Sequence, residues 1–136
     1  MPLSAATLVV GPGAALTRVA DAARLARDGD TVLIQPGTYL GDVAVWPQKS
    51  LEIRGVGARP VLDAGGTVAA GKAIWVFSDG RFKVSNIAFR GARAADHNGA
   101  GIRFERGRLE VSDCLFEDNE HGILTANFVD AELRVV

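Results

Sequence analysis

Several residue types are scarce in this sequence, and each shortage excludes a class of protein. The 136 residues include a single cysteine, which excludes an internal disulfide framework. The net charge of −1 gives no electrostatic reason to expect nucleic acid or an anionic membrane as a partner. No apolar run approaches the length that crosses a bilayer, and the first ten residues lack the pattern of a secretory signal. With 48% hydrophobic and 23% charged residues, the chain is expected to fold as one domain over residues 1–136.

A repeat of short alternating strands is the main positive feature of the sequence. Residues 82–89 and 109–116 match one another at an offset of 27 residues, and partial copies begin at Leu51 and Leu133. A repeat of about 20 to 30 residues made of such strands, with no helix inside it, is typical of a β-solenoid. The sequence therefore predicts an all-β solenoid of about four coils.

The alternation within each copy predicts which side chains face the core. Two inward columns are expected, Leu51 with Phe82, Leu109 and Leu133, and Ile53 with Val84, Val111 and Val135. The outward column between them would hold Glu52, Lys83, Glu110 and Arg134, whose charges alternate in sign. Because parallel strands lie about 4.8 Å apart, alternating charges favour this register weakly over one that places like charges together.

The ends of the strands carry turn and cap signals. Asn86 and Asp113 occupy the same corner in two copies, and Gly55 occupies it in an earlier one; these residue types tolerate left-handed backbone. Residues 16–27 have helical periodicity, with Thr17 as the expected N-cap and Gly29 as the stop. A short helix at this place is expected to cap the first coil and cover its apolar cross-section.

A second motif precedes each copy, at residues 43–46, 74–77, 102–105 and 123–126. If the residue that opens each motif faces the core, alternation places the next residue outward. The resulting outward positions hold three aromatic and two charged side chains: Trp75, Trp46, Phe77, Arg103 and Glu105. Exposed rings of this size are expected either to be covered or to be used in binding.

Taken together, these strand-Asn-strand units and the segment 29–39 resemble the right-handed parallel β-helix proteins of the pectate lyase-like superfamily. The resemblance implies three parallel sheets, with a polysaccharide groove on the outer face of the sheet that contains the second motif. It also implies more coils than four, so residues 1–136 are expected to be the N-terminal portion of such a domain. The last coil is then expected to contact further chain or another subunit. Members of this superfamily are often secreted.

The resemblance implies a protein similar to polysaccharide lyases, which binds or cleaves an acidic polysaccharide. Arg103 would neutralise a uronate carboxylate, and His97 or Glu105 would move the proton. The expected substrate-binding residues are Trp75, Trp46, Phe77, Asp96 and His121. Calcium is implied as a cofactor by the resemblance alone, because no cluster has a recognisable metal-binding spacing.

A non-enzymatic structural or binding solenoid is the alternative. An enzyme predicts a wet cleft in which titratable groups converge beside exposed aromatic rings. A structural module predicts that the same rings are packed under loops or at an intermolecular contact. The orientation of Trp75, Arg103, His97 and Glu105 therefore distinguishes the two readings.

Overall fold

A computed structural model describes residues 5–126 and 130–136. It contains one short helix, α1 (Val19–Leu25), and fourteen strands. The strands are β1 (Thr7–Val10), β2 (Asp30–Ile34), β3 (Thr38–Leu40), β4 (Ala44–Trp46), β5 (Ser50–Gly55), β6 (Val61–Asp63), β7 (Ala73–Phe77), β8 (Gly80–Ser85), β9 (Ala88–Arg90), β10 (Ala100–Phe104), β11 (Gly107–Ser112), β12 (Leu115–Glu117), β13 (His121–Thr125) and β14 (Ala131–Val135).

The strands form three sheets in which each strand pairs in parallel with its counterpart in the next coil. Sheet A has six strands in the order β1-β2-β5-β8-β11-β14. Sheet B (β3-β6-β9-β12) and sheet C (β4-β7-β10-β13) have four strands each. From β2 to β13 the chain passes from sheet A to sheet B to sheet C in each coil, and the whole is a parallel β-solenoid of about five turns. The predicted fold class is confirmed, with slightly more turns than the four expected.

The register of sheet A is the one that the repeat predicts. Phe82 pairs with Leu51 on one side and with Leu109 on the other, and Leu109 pairs in turn with Leu133. The second inward column and the charged outward column are also in register. In the charged column, Arg134 Nε lies 3.8 Å from Glu110 Oε1. From β5 to β11, the inward columns form part of one continuous apolar core.

The corner between sheets A and B depends on left-handed backbone, as predicted. Asn86 has φ of 56° and Asp113 has φ of 52°. The Asn86 side chain donates hydrogen bonds to the carbonyls of Gly55 and Gly57, each 3.0 Å long. The earlier coil differs from the prediction, because its left-handed residue is Gly57 (φ 68°). Gly55 is needed for space instead, since a Cβ there would lie 2.0 Å from the Asn86 carbonyl oxygen.

The N-terminal end of the solenoid is closed by α1, which is shorter than predicted. Thr17 is not the N-cap; that position is Arg18, whose own side chain makes no capping bond. The buried carboxylate of Asp42 accepts from the amides of Val19 (2.6 Å) and Ala20 (2.9 Å) instead. At the other end of the helix, Gln48 donates to the carbonyls of Ala23 and Ala26. Side chains that follow β3 and β4 therefore hold α1 at both ends.

The opposite end of the solenoid is open. Two core-side residues of β14 that a further coil would cover are exposed, with Leu133 38% and Val135 60% accessible. Leu115 is also exposed, and Phe116 and Ile123 are half-buried. No helix among the described residues is long and apolar enough to cross a membrane.

Candidate functional site

The three aromatic rings predicted to face outward lie in the core. Trp46, Trp75 and Phe77 are 1%, 0% and 0% exposed. Trp75 packs edge-on against Trp46, with ring centroids 5.3 Å apart, and against Phe89 at 4.9 Å. The prediction that these rings form an exposed platform for sugars is therefore wrong. The rings point into the core of the solenoid and are buried there, and they do not lie under a loop.

The error is a shift of one residue in the register of sheet C. Trp75 pairs with Ile102, and Arg103 pairs with Val76 and Leu124. Ile74 and Trp75 are both buried in the same core cluster, so the strict alternation is interrupted at the start of the strand. Gly101 takes the place equivalent to Ile74 in the next coil, where a Cβ would lie 2.7 Å from the Phe116 ring. An alternating template cannot represent two consecutive inward residues.

Arg103 and Glu105 do lie on the outer face of sheet C, as predicted. Glu105 Oε1 is 3.4 Å from Lys72 Nζ, and all three residues are partly accessible to solvent. Arg103 Nε is buried and has no hydrogen-bond partner among the residues that the structure describes. Ala69, from the loop 64–72, packs with buried Val76 on the same face.

The loop 91–99, which leads into β10, contains the predicted residues His97 and Asp96. Glu120 organises the loop, because its Oε1 accepts from the amides of Ala94 (2.8 Å) and Gly99 (2.9 Å). These two backbone hydrogen bonds lower the pKa of Glu120 below its usual value. His97 Nδ1 lies 3.5 Å from Glu120 Oε2, while its side chain is 91% exposed.

The remaining contacts in this region are local. Asp96 accepts from the amide of Asn98, and the Asn98 side-chain oxygen lies 3.0 Å from His121 Nε2. His121 and Asp96 therefore join one hydrogen-bonded group at the entry to sheet C. Within residues 5–126 and 130–136, no three His, Cys, Asp or Glu side chains are grouped so that they could hold a metal ion.

A groove that the sequence reading did not single out crosses the outer face of sheet A. Its volume is about 460 Å³, and it runs over β2, β5, β8 and β11. Its charged lining residues include Glu52, Arg81, Lys83, Arg108 and Glu110. A sequence signal for it does exist, because positions 81 and 108 are related by the 27-residue offset and both hold arginine.

Two outward columns line this groove, and the column of Arg81 and Arg108 differs in its electrostatics from the alternating column of Glu52, Lys83 and Glu110. Arg81 and Arg108 are directly paired in adjacent strands and both are exposed, so two like charges lie side by side. Arg81 forms no ion pair with any described residue, and Arg108 reaches Glu132 only at 4.0 Å. Like charges on adjacent strands destabilise a sheet unless an anion lies near them. Lys83, two residues along β8, adds a third cation on the same face.

No protein-family model, curated protein or solved structure matches this chain. The fold by itself does not select an activity, because β-solenoids serve many functions. The functional argument therefore depends on the arrangement of side chains on the two outer faces described above.

Proposed function

We propose that the chain is a binding β-solenoid of the pectate lyase-like kind, which holds an acidic polysaccharide across the outer face of sheet A. The observation that carries the proposal is the adjacent pair Arg81 and Arg108 in a groove of about 460 Å³. A carboxylate between the two guanidinium groups would replace their mutual repulsion with charge-assisted hydrogen bonds.

A polymer suits this face better than a small anion. A chain lying along the solenoid axis crosses one strand about every 4.8 Å, so it meets Arg81 on β8 and Arg108 on β11 in succession. Lys83 offers another cation beside Arg81. Glu52 and Glu110 line the same groove, and they favour a ligand that also has hydroxyl groups to donate. A polysaccharide of uronic acids has both kinds of group.

Binding without cleavage is the reading that the geometry favours. His97 and Glu105, the residues proposed to move a proton, belong to the loop before sheet C and to its outer face, whereas the groove that Arg81 and Arg108 line lies on sheet A. Proton transfer requires the acid or base within about 3 Å of the reacting group.

The test is affinity electrophoresis or calorimetry with polygalacturonate and, as the neutral comparison, dextran. The native chain is expected to bind polygalacturonate and not dextran, and added salt should weaken binding. Arg81→Gln and Arg108→Gln should each cost about tenfold in affinity. The matched control is Arg24→Gln, because Arg24 is exposed on α1, pairs with Asp21 at 2.9 Å, and neither residue lines the groove. Equal binding to dextran, or an equal loss in the control, contradicts the proposal.

A second candidate is cleavage of the same polymer at the outer face of sheet C. The favouring observation is that Arg103 and Glu105 lie two residues apart on that face, with Lys72 beside Glu105. Its test is the ultraviolet absorbance of unsaturated uronides released from polygalacturonate. A signal that Arg103→Gln abolishes supports cleavage. The absence of a signal from the native chain contradicts cleavage and does not affect the binding proposal.

A further inference from the structure

Strand β14 ends sheet A with an edge that has no partner strand among the described residues. The amide of Val136 donates to Val111, and the carbonyl of Asp130 accepts from Gly107. In a parallel ladder, the residues that bond to one neighbour alternate with those that point away. The backbone groups of Ala131, Leu133 and Val135 therefore point away from β11, toward the open edge.

The side chains of β14 divide in the same alternating way. Leu133 and Val135 continue the inward columns and are exposed at the open end, whereas Glu132 and Arg134 continue outward columns. An edge with free backbone groups and exposed apolar side chains is a ready surface for another strand. A strand that covers this edge must form hydrogen bonds with its free backbone groups, and its side chains must complement those of residues 132–134, Glu-Leu-Arg.

We propose that β14 pairs in antiparallel orientation with β14 of a second copy, about a two-fold axis that is normal to sheet A and lies midway between the Leu133 residues of the two copies. Leu133 then lies opposite Leu133 of the other copy, and Ala131 lies opposite Val135. All of these residues have free backbone groups directed at the partner, so each pair can exchange hydrogen bonds. Glu132 lies opposite Arg134 in both directions, because the axis relates the two contacts.

Other registers are less favourable for identifiable reasons. A shift by one residue would set the free amides of one strand opposite residues whose backbone groups point away. A shift by two residues restores the hydrogen bonds, but it places Glu132 opposite Glu132 or Arg134 opposite Arg134. Like charges directly across a strand pair are destabilising. The alternation of backbone hydrogen bonds and the side-chain charges therefore both favour the pairing that is centred on Leu133.

This pairing is self-complementary, which is why a second copy is the occupant that the edge selects. The two-fold axis keeps the core side of one sheet on the core side of the other. Leu133 and Val135 of one copy are therefore covered by the corresponding residues of its partner, and sheet A continues through both copies. The inference does not depend on the polysaccharide proposal, since it uses no groove residue on β8.

The test combines two charge reversals with a measurement of mass in solution, by light scattering after size exclusion or by sedimentation equilibrium. The native chain is expected to be a dimer. Arg134→Glu and Glu132→Arg each create two like-charge contacts and should weaken association by at least about tenfold. Mixing the two variants restores both contacts, since one copy supplies two arginines and the other two glutamates. An equimolar mixture should therefore form a heterodimer.

Circular dichroism of each variant shows whether it is folded, and Arg24→Glu is the matched control. Arg24 is an exposed, ion-paired arginine on α1, at the opposite end of the solenoid, so its reversal should leave the dimer unchanged. A native chain that stays monomeric overturns the proposal. So does a dimer that survives both single reversals, or a mixture of folded variants that stays monomeric.

Discussion

The two ends of the solenoid are built from the same kind of coil and differ in what covers them. At the N-terminal end, α1 contacts β4 and β1, β1 pairs with β2, and Val32 and Ile34 of β2 are fully buried. At the other end, Val135 continues the inward column that contains buried Val84 and Val111, yet it is 60% exposed. The inward direction of a side chain follows from the alternation within its own strand, but its burial depends on the next coil.

This comparison separates two contributions to stability. Alternation, glycine corners and Asx turns are local, so every coil has them. The burial of apolar surface depends on the neighbouring coils, so the inner coils bury more apolar surface than the outermost coil does. Side chains in one column but in different coils are therefore natural matched pairs for experiments.

The largest expected effect compares Phe89→Ala with Phe116→Ala. The two rings are paired in sheet B and stack with centroids 5.1 Å apart, but Phe89 is 0% exposed and Phe116 is half-buried. Truncating Phe89 should cost about 3–5 kcal/mol in the free energy of unfolding, and truncating Phe116 roughly half of that. Urea denaturation measures both, with the Arg134→Glu background used to keep the chain monomeric. Equal losses would show that the open end is covered.

The next effect concerns the cap that distinguishes the closed end. Asp42→Ala removes the acceptor for the amides of Val19 and Ala20, and it should lower the free energy of unfolding by about 1–2 kcal/mol. The control is Asp21→Ala, which removes a carboxylate from an exposed ion pair with Arg24 on the same helix. That change should cost at most about 0.5 kcal/mol. Similar losses for the two variants would contradict the capping role.

A smaller and local effect tests how the outermost coil supports the coil before it. Glu120 enters β13 and fixes the loop 91–99 through the amides of Ala94 and Gly99. Its pKa is lower in the folded chain than the ordinary value of 4.5, so its contribution is complete above pH 4.5. The contribution is lost as the pH falls through the lowered pKa. The protection factors of these two amides, which correct for the intrinsic pH dependence of exchange, should therefore fall at acid pH, and Glu120→Gln should lower them at neutral pH as well.

The smallest effect is the reactivity of Cys114, which lies at the open end. Burial raises the pKa of its thiol above the ordinary value of 9.0, so little thiolate is present near neutral pH. Labelling by a disulfide reagent at pH 8 should be several-fold slower in the folded chain than in urea, and the rate should rise with pH. Equal rates would indicate that this coil opens freely in solution.

Sheet A was the part of the fold that sequence reasoning predicted best. Residues 82–89 and 109–116 share a strong pattern at one offset, and the spacing alone defines which residues pair. The left-handed corner at Asn86 followed from residue type. The first strand, β1, was not singled out, because four residues on a sheet edge carry too little alternation to stand out.

Sheet C was misread because its strands do not begin with simple alternation. Ile74 and Trp75 both face the core. A strictly alternating pattern allows only one of two consecutive side chains to face inward, so it wrongly places Trp75 on the outer face. The roles of Asp42 and Glu120 were also missed. Their bonds to the backbone join residues more than 20 positions apart, and no local pattern encodes such contacts.

The connection from sheet B to sheet C varies in length while the strands on either side stay in register. It has three residues before β4 and β13, and nine before β7 and β10. A segment that triples in length between coils of one chain is a natural place for grafting. Foreign peptides inserted into the loop 64–72 or the loop 91–99 would be displayed side by side on adjacent rungs, at a spacing set by the ladder.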